Sequence, residues 1–388
     1  MIRHLFKLIW NKKGAHSLLI IEIWASFMVL FGVLSLIIYN FTNYLQPIGF
    51  SYDRVWVVDL SNNQDTVGVA AKNQRIFDMI SAYTEVESAS RMSNNTPFSA
   101  NQMNNNVTYN KISAVPDMYE TDDNLYETLD LKLLAGRWYR KEDQVSKFRP
   151  VVLNKVLAEK FFQDENPLGK ILSKEDKKPF KVVGIVDTFK AKGEFMSNAP
   201  AIFVQNESMS DWVQPILIRT RPGTDATFEA RLVKDIAALA PGWGIEVSYM
   251  TESRQNRHKL TLIPVIIFLI ISGFLLTNVA LGLFGILNLN ISRRRSEIGL
   301  RRAMGATGWN VTLQILGEMW TLSLFSILIG LLFAVQFPLL HVFDLAAGVY
   351  LWAMVAALLT IFVIVTLCAW YPGQQAARIH PATALHEE

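Results

Sequence analysis

Between Ser292 and Asn310 the chain reads SRRRSEIGLRRAMGATGWN, which places Arg293, Arg294, Arg295, Arg301 and Arg302 against a single acid, Glu297. The chemistry open to such a set is ion pairing and recognition. Guanidinium forks bind a carboxylate through two hydrogen bonds and attract anionic headgroups. The spacing also predicts a short helix: Ser292 as cap, Glu297 and Arg301 paired at i,i+4, and Gly305 as stop. A rigid charged helix suits docking to a soluble partner; the plainer role is to hold one end of a membrane protein in place. Other chemistries find no support. The six histidines are scattered without metal-ligand spacing. The pair Gly169-Lys170 is followed by Ile171 and lacks the upstream glycine of a phosphate-binding loop. No catalytic residue, bound cofactor, metal or nucleic-acid partner is expected of this chain.

The arginine loop lies between apolar runs, and these fix its surroundings. Of 388 residues, 51% are apolar and 18% charged. Leu18–Phe41 is interrupted only by Glu22, and Leu262–Ile291 carries no charge. Val311–Leu340 contains only Glu318, and Val349–Tyr371 is uncharged. Each run approaches or exceeds the roughly 20 residues that cross a bilayer. The expected order is a cytoplasmic segment 1–17, spans at 18–41, 262–291, 311–337 and 349–371, the arginine loop at 292–310, an outer loop at 338–348 and a tail at 372–388. Arg3, Lys7, Lys12 and Lys13 precede the first run without an acid. With the arginine loop, they place both termini in the cytoplasm by the positive-inside bias. Residues 42–258 then lie outside. No small-x-small site follows the first run, which is long for a signal peptide, so it is expected to remain as an anchor.

Intramembrane polar residues need partners. Glu22 and Glu318 stand within about two turns of the cytoplasmic ends of their spans. There each can meet Lys12, Lys13 or a loop arginine, which is favoured over a proton relay. Asn278 is expected to hydrogen-bond across a helix interface, and Gly273, Thr277 and Gly282 to let two copies of the second span approach. The polar stretch Thr251–Thr261 runs into that span without a break, predicting one helix of about 40 residues, roughly 60 Å long, with a kink at Pro264.

The outer segment reads as mixed α and β. Arg54–Leu60, Pro150–Leu153, Lys181–Asp187, Ala201–Val204 and Pro215–Thr220 are short strand-like runs. Asn154 caps a predicted helix Lys155–Phe162, and Asp225–Ala240 repeats apolar residues at helical spacing. The Asn-rich stretch Ser93–Asn110 predicts a loop or weak hairpin. The lone cysteine, Cys368, lies in the last span, so this domain folds without a disulfide.

Two sets of residues carry a family resemblance. LDLKLLAGRWYRKEDQ (Leu129–Gln144), PVVLNKVLAEKFFQDENPLGKIL (Pro150–Leu172) and KVVGIVDTF (Lys181–Phe189) resemble the periplasmic core domain of MacB-type ABC transporter permeases. Arg294, Glu297-Ile298-Gly299 and Arg302-Ala303-Met304-Gly305-Ala306 resemble the FtsX-like permease signature. Glu318 matches an acid early in that family's third span, and HPATALHEE (His380–Glu388) its terminal Pro-x-x-Ala-Leu. Arg293 and His386 depart from the pattern, which often has an acid and an arginine there. The resemblance implies a membrane α-helical fold of four transmembrane helices, with a large α+β periplasmic domain between helices 1 and 2. One lobe of that domain is inserted in the other near 116–211.

The resemblance further implies a permease subunit of the bacterial inner membrane, without a fused ATPase domain. A separate cytoplasmic ABC ATPase dimer would bind the ATP and Mg. The coupling residues carried over are Arg294, Glu297, Ile298, Gly299, Arg301, Arg302, Ala303, Gly305 and Ala306. Of these, Glu297, Arg301 and Arg302 are expected to touch the ATPase, with Gly299 and Ala303 letting the helix seat closely. A second permease copy or paralogue is implied, and efflux would add a periplasmic adaptor and outer-membrane channel. Export of a peptide, antibiotic or lipid-linked substrate leads over FtsX-like activation of an envelope hydrolase and lipoprotein release. A membrane-anchored enzyme is the last alternative.

Overall fold

The computed structural model describes residues 13–163, 165–173, 178–206 and 213–379. Lys12 and the tail from His380 onward lie outside the described residues, as does the side chain of Lys13. The chain divides into two compact units, Thr42–Thr261 and the segments flanking it.

The flanking unit is helical. Its helices are α1 (Lys13–Tyr44), α6 (Met250–Arg293), α7 (Arg295–Ala303), α8 (Gly308–Ala334), α9 (Gln336–Leu339) and α10 (Ala347–Ala377). Four of the long apolar helices suffice to cross a membrane: Ser17–Tyr44, Met250–Arg293, Gly308–Leu339 and Ala347–Ala377. Among them α8 and α10 pack most extensively, for a reason visible in the sequence. Ala353, Ala357, Ile361, Val365 and Ala369 recur every fourth position and are all buried, and the three alanines let the backbones approach. Thr312 Oγ1 donates to the Gly373 carbonyl (3.1 Å) and Trp320 Nε1 to Thr366 Oγ1 (2.9 Å), tying the pair across its length. Leu19, Ile23, Phe27 and Phe31 of α1 and Val279, Leu283 and Leu287 of α6 join the cluster. Helix α6 is continuous for 44 residues with Pro264 inside it.

The unit Thr42–Thr261 is built from two sheets. The first has the order β12-β1-β11-β2 and is antiparallel, from β1 (Val55–Ser61), β2 (Val86–Arg91), β11 (Ile216–Thr220) and β12 (Gly244–Tyr249). The second runs β5-β10-β7-β9-β6, from β5 (Asp117–Thr121), β6 (Leu133–Gly136), β7 (Arg149–Asn154), β9 (Phe180–Val186) and β10 (Ala201–Gln205). Strand β8 (Ile171–Leu172) pairs with β9. A hairpin of β3 (Val107–Tyr109) and β4 (Ile112–Ala114) ends the Asn-rich stretch and reaches β8 through Thr108 and Ser173. All of the second sheet falls between β2 and β11 in the chain.

Side-chain alternation decides where each sheet is covered. Trp56 and Val58 of β1 pack with Ile76 and Ile80 of α2 (Val69–Ala82) and with Phe228, Leu232 and Ile236 of α5 (Ala226–Leu239). Val55 and Val57 turn the other way, into a cluster shared with the second sheet. There they join Tyr119, Val152 and Phe203. Val151, Leu153, Ile202 and Val204 face outward onto Leu157 and Phe161 of α4 (Lys155–Phe162). The short helix α3 (Leu125–Thr128) closes the seam. Asn154 caps α4, accepting from the Leu157 amide (3.0 Å), and also accepts from the Ala201 amide of β10 (3.0 Å). Helix α2 and strands β2, β5, β6 and β12 were not expected from the sequence.

Candidate coupling site

The turn between the second and third spans is a helix held by a closed set of side chains. Arg294 is the joint: its φ of −110° and ψ of 18° break the helix between α6 and α7. Its guanidinium reaches two carboxylates. Nη1 donates to both oxygens of Glu318 on α8 (3.1 Å each), and Nε donates to Glu297 Oε2 (3.0 Å). Glu297 also accepts from Arg301 Nη2 (2.7 Å). Arg301 Nη1 donates to Gln314 Oε1 (2.7 Å), whose amide donates to Glu318 Oε1 (3.3 Å). The ring Arg294–Glu297–Arg301–Gln314–Glu318 therefore closes on itself and fastens α7 to α8.

Electrostatics follow this geometry. The hydrogen bond from Arg294 holds the Glu297 carboxyl below its ordinary range, and the same bond raises the Arg294 guanidinium above its own. Both stay charged at any physiological pH. The four charged side chains of the ring are 28–43% exposed, so water weakens each pair, and it is the shared geometry that fixes the helix.

Gly305 ends α7 at φ +101°, a left-handed conformation that favours glycine. The amides of Gly305 and Ala306 then bond back to the Arg302 and Arg301 carbonyls (3.1 and 3.0 Å). Thr307 starts α8 by accepting from the Asn310 amide. Ser292 lies inside α6, and no side chain caps α7. The expected cap is thus replaced by the Arg294 joint.

Other expected site residues distribute unevenly. Ile298 packs against the helical core and Gly299 is buried. A side chain at Gly308 would meet Arg302 Nη1 at 3.0 Å and Ala377 of α10, so Arg302 lies over the start of α8. Glu297 and Arg301 face their own chain's network rather than standing free for a partner. What stays open is an arc of which the sequence motif included only Ala303 as a seating residue. Ser296, Leu300, Ala303 and Met304 are exposed, with Leu300 at 50% and Met304 at 73%. Their i, i+4, i+7, i+8 spacing was the available signal. Gln314 was also missed, since a lone glutamine in an apolar run marks no motif.

The intramembrane residues bring two corrections. Asn278 Nδ2 donates to the Phe274 carbonyl of its own helix (2.9 Å), not across an interface, because that carbonyl is one turn away. Thr277 likewise bonds to the Gly273 carbonyl (2.8 Å). Gly282 stands nine residues from Gly273, half a turn off at 3.6 residues per turn. It faces Glu22 of the same chain: a Cβ there would come 2.9 Å from Glu22 Oε2. Gly273, Thr277 and Gly282 therefore do not share one face.

Two family models together span most of this architecture. The MacB-like periplasmic core domain matches residues 25–235, and the FtsX-like permease C-terminal domain matches 267–381. The chain belongs to the MacB/FtsX-like ABC permease family. It is 24% identical over 293 residues to the macrolide export ATP-binding/permease protein MacB of Neisseria meningitidis, covering 73% of this chain and 45% of that protein. The MacB protein of Marinobacter nauticus is 26% identical over 269 residues, covering 66% and 41%. The chain thus spans less than half the length of these relatives. The crystal structure of the periplasmic region of MacB from Actinobacillus actinomycetemcomitans covers 55% of this chain and 96% of its own, with 16% identity and a TM-score of 0.40. The permease is a multi-pass protein of the bacterial inner membrane.

Proposed function

We propose that this permease couples a separate cytoplasmic ABC ATPase dimer, which binds ATP and Mg, to motion of the domain at 42–261 on the outer side of the membrane. The observation that carries the reading is the braced helix α7. Within it, Glu297 and Arg301 are engaged in the ring with Gln314 and Glu318, which makes the helix a rigid projection. Its open arc, Leu300, Ala303 and Met304, offers an apolar surface, with Arg301 and Arg302 flanking it. Both termini and α7 face the cytoplasm, where basic short loops collect. ATP-driven closure of the ATPases moves α7, and the unbroken α6 carries that movement outward. A second permease copy or paralogue completes the assembly. The work done outside is export of a peptide, antibiotic or lipid-linked substrate, with an adaptor and outer-membrane channel as further partners.

The test is gentle extraction followed by identification of co-purifying proteins, for the wild type and for Leu300→Asp and Met304→Asp. An ATPase that accompanies the wild type and is lost by at least about tenfold in the two variants supports the reading, since a buried unpaired charge at an interface costs more than 1.4 kcal/mol. Unchanged recovery from both variants removes the arc from the interface. A wall hydrolase in place of transport partners would turn the reading toward signalling.

A further inference from the structure

Within the unit 42–261, one short loop touches both places where the chain passes to or from its membrane helices. The loop Lys190–Phe195 follows β9 in the inserted sheet's segment. On one side it holds the residues just after the first apolar run. Lys190, 1% exposed, donates from Nζ to the Asn43 carbonyl (2.6 Å) and to the Glu194 carbonyl (3.0 Å). The Lys190 amide donates to the Ile48 carbonyl (3.0 Å). Asn43 Nδ2 returns a bond to the Phe195 carbonyl (3.1 Å), and the Tyr44 ring stacks on Phe195 at 5.3 Å.

On the other side the same six residues hold the first turns of α6. The Glu194 carboxylate, 9% exposed, pairs with Arg254 Nε and with His258 Nε2 (2.6 Å). Arg257 Nε donates to the Lys192 carbonyl (3.2 Å), and the Phe195 ring meets the His258 ring edge-on at 4.9 Å. Burying a lysine and a glutamate this deeply costs free energy unless each is fully engaged. Here the engagement is spent on two segments 200 residues apart in the chain.

By sequence, both segments continue into the first sheet: the one after α1 leads to β1, and β12 leads to α6. The second sheet has no covalent link to either. We infer that Lys190 and Glu194 are positioning residues which clasp the two segments together and bind the second lobe to both, so that displacement of α6 reaches that lobe directly. The clasp's part in transport rests on the permease reading above; its existence as a coupled unit does not.

The experiment is amide hydrogen exchange on the full chain in lipid nanodiscs, for Lys190→Met and Glu194→Gln. Lys190→Met removes side-chain bonds only to Asn43 and to Glu194 within the loop, and keeps the amide bond to Ile48. Glu194→Gln alters contacts only to Arg254 and His258. A shared clasp requires each variant to loosen the far side as well. Exchange in 251–258 should rise at least about threefold in Lys190→Met, and exchange in 43–48 likewise in Glu194→Gln, with β1 and β11 unchanged. Effects confined to each variant's own contacts would overturn the clasp, because two independent anchorages give that result. Should Lys190→Met fail to fold, Arg257→Ala serves in its place and must loosen 43–48. Recovery of the ATPase, measured in parallel, tests the permease reading separately: its absence with reciprocal loosening intact would sink that reading and leave the clasp standing.

Discussion

Arg294 spends one guanidinium on two carboxylates from two helices, and a point charge cannot reproduce that. A lysine offers three donors around one atom; the arginine fork reaches Glu297 from Nε and Glu318 from Nη1 at the same time. Arg294→Lys is therefore expected to release one carboxylate, lowering the melting temperature in detergent by a few degrees, about 1 kcal/mol. Recovery of the ATPase should fall with it, because α7 would no longer project rigidly. A second residue titrates where few carboxylates do. Burial pushes Asp122 up to about 6, although the Arg91 and Asn124 amides and Ser90 Oγ donate to it. A folded value above the unfolded one means stability that is full below about pH 4 and is lost as pH rises through 6. Unfolding measured between pH 4 and 7.5 should show a loss on the order of 2 kcal/mol, most of it between 4 and 6. Asp122→Asn should flatten that slope, and an unchanged slope would assign the titration to another group.

Contact between elements turns on close approach. The Phe27 ring of α1, fully buried, lies where a Cβ on Gly330 of α8 would be, 2.4 Å from Phe27 Cδ1. Gly330→Val should force the two helices apart at a cost of about 1–3 kcal/mol, read as earlier unfolding in a denaturant titration. Gly348→Val, where nothing lies within 4 Å, is the control. At this scale the sequence was legible wherever one physical rule dominated. Long apolar runs announced the four helices, and Asn154 announced α4. Helix α2 was not seen because its buried face is only Asn73, Ile76 and Ile80 amid charges. Strand β12 was missed because it is half-buried throughout and lacks clean alternation. The ring around α7 was legible in its charged members but not in Gln314 or in its wiring. Spacing gives the Glu297–Arg301 pair, whereas the Arg294–Glu318 bond depends on how α8 folds back, which no local pattern encodes.

For the molecule as a whole, α6 is the helix with most left uncovered. Only 6% of its apolar stretch is buried within the chain, against 28–39% for the other three. Lipid can cover such a helix, but the second copy proposed above needs a face, and α6 has the most to give. The turn with Gly273 and Thr277 is open, and a Cβ at Gly273 would meet nothing within 4 Å. Gly282 is closed off by Glu22 of its own chain. The two faces therefore make opposite forecasts in one experiment. In a Cys368→Ser background, Thr277→Cys and Gly273→Cys should form an oxidative cross-link that doubles the mass on a non-reducing gel, and Gly282→Cys should not. Cross-linking at all three positions would mean α6 rotates or leaves Glu22 when it pairs. Cross-linking at none would place the second copy against another helix, leaving the exposed face of α6 to lipid alone.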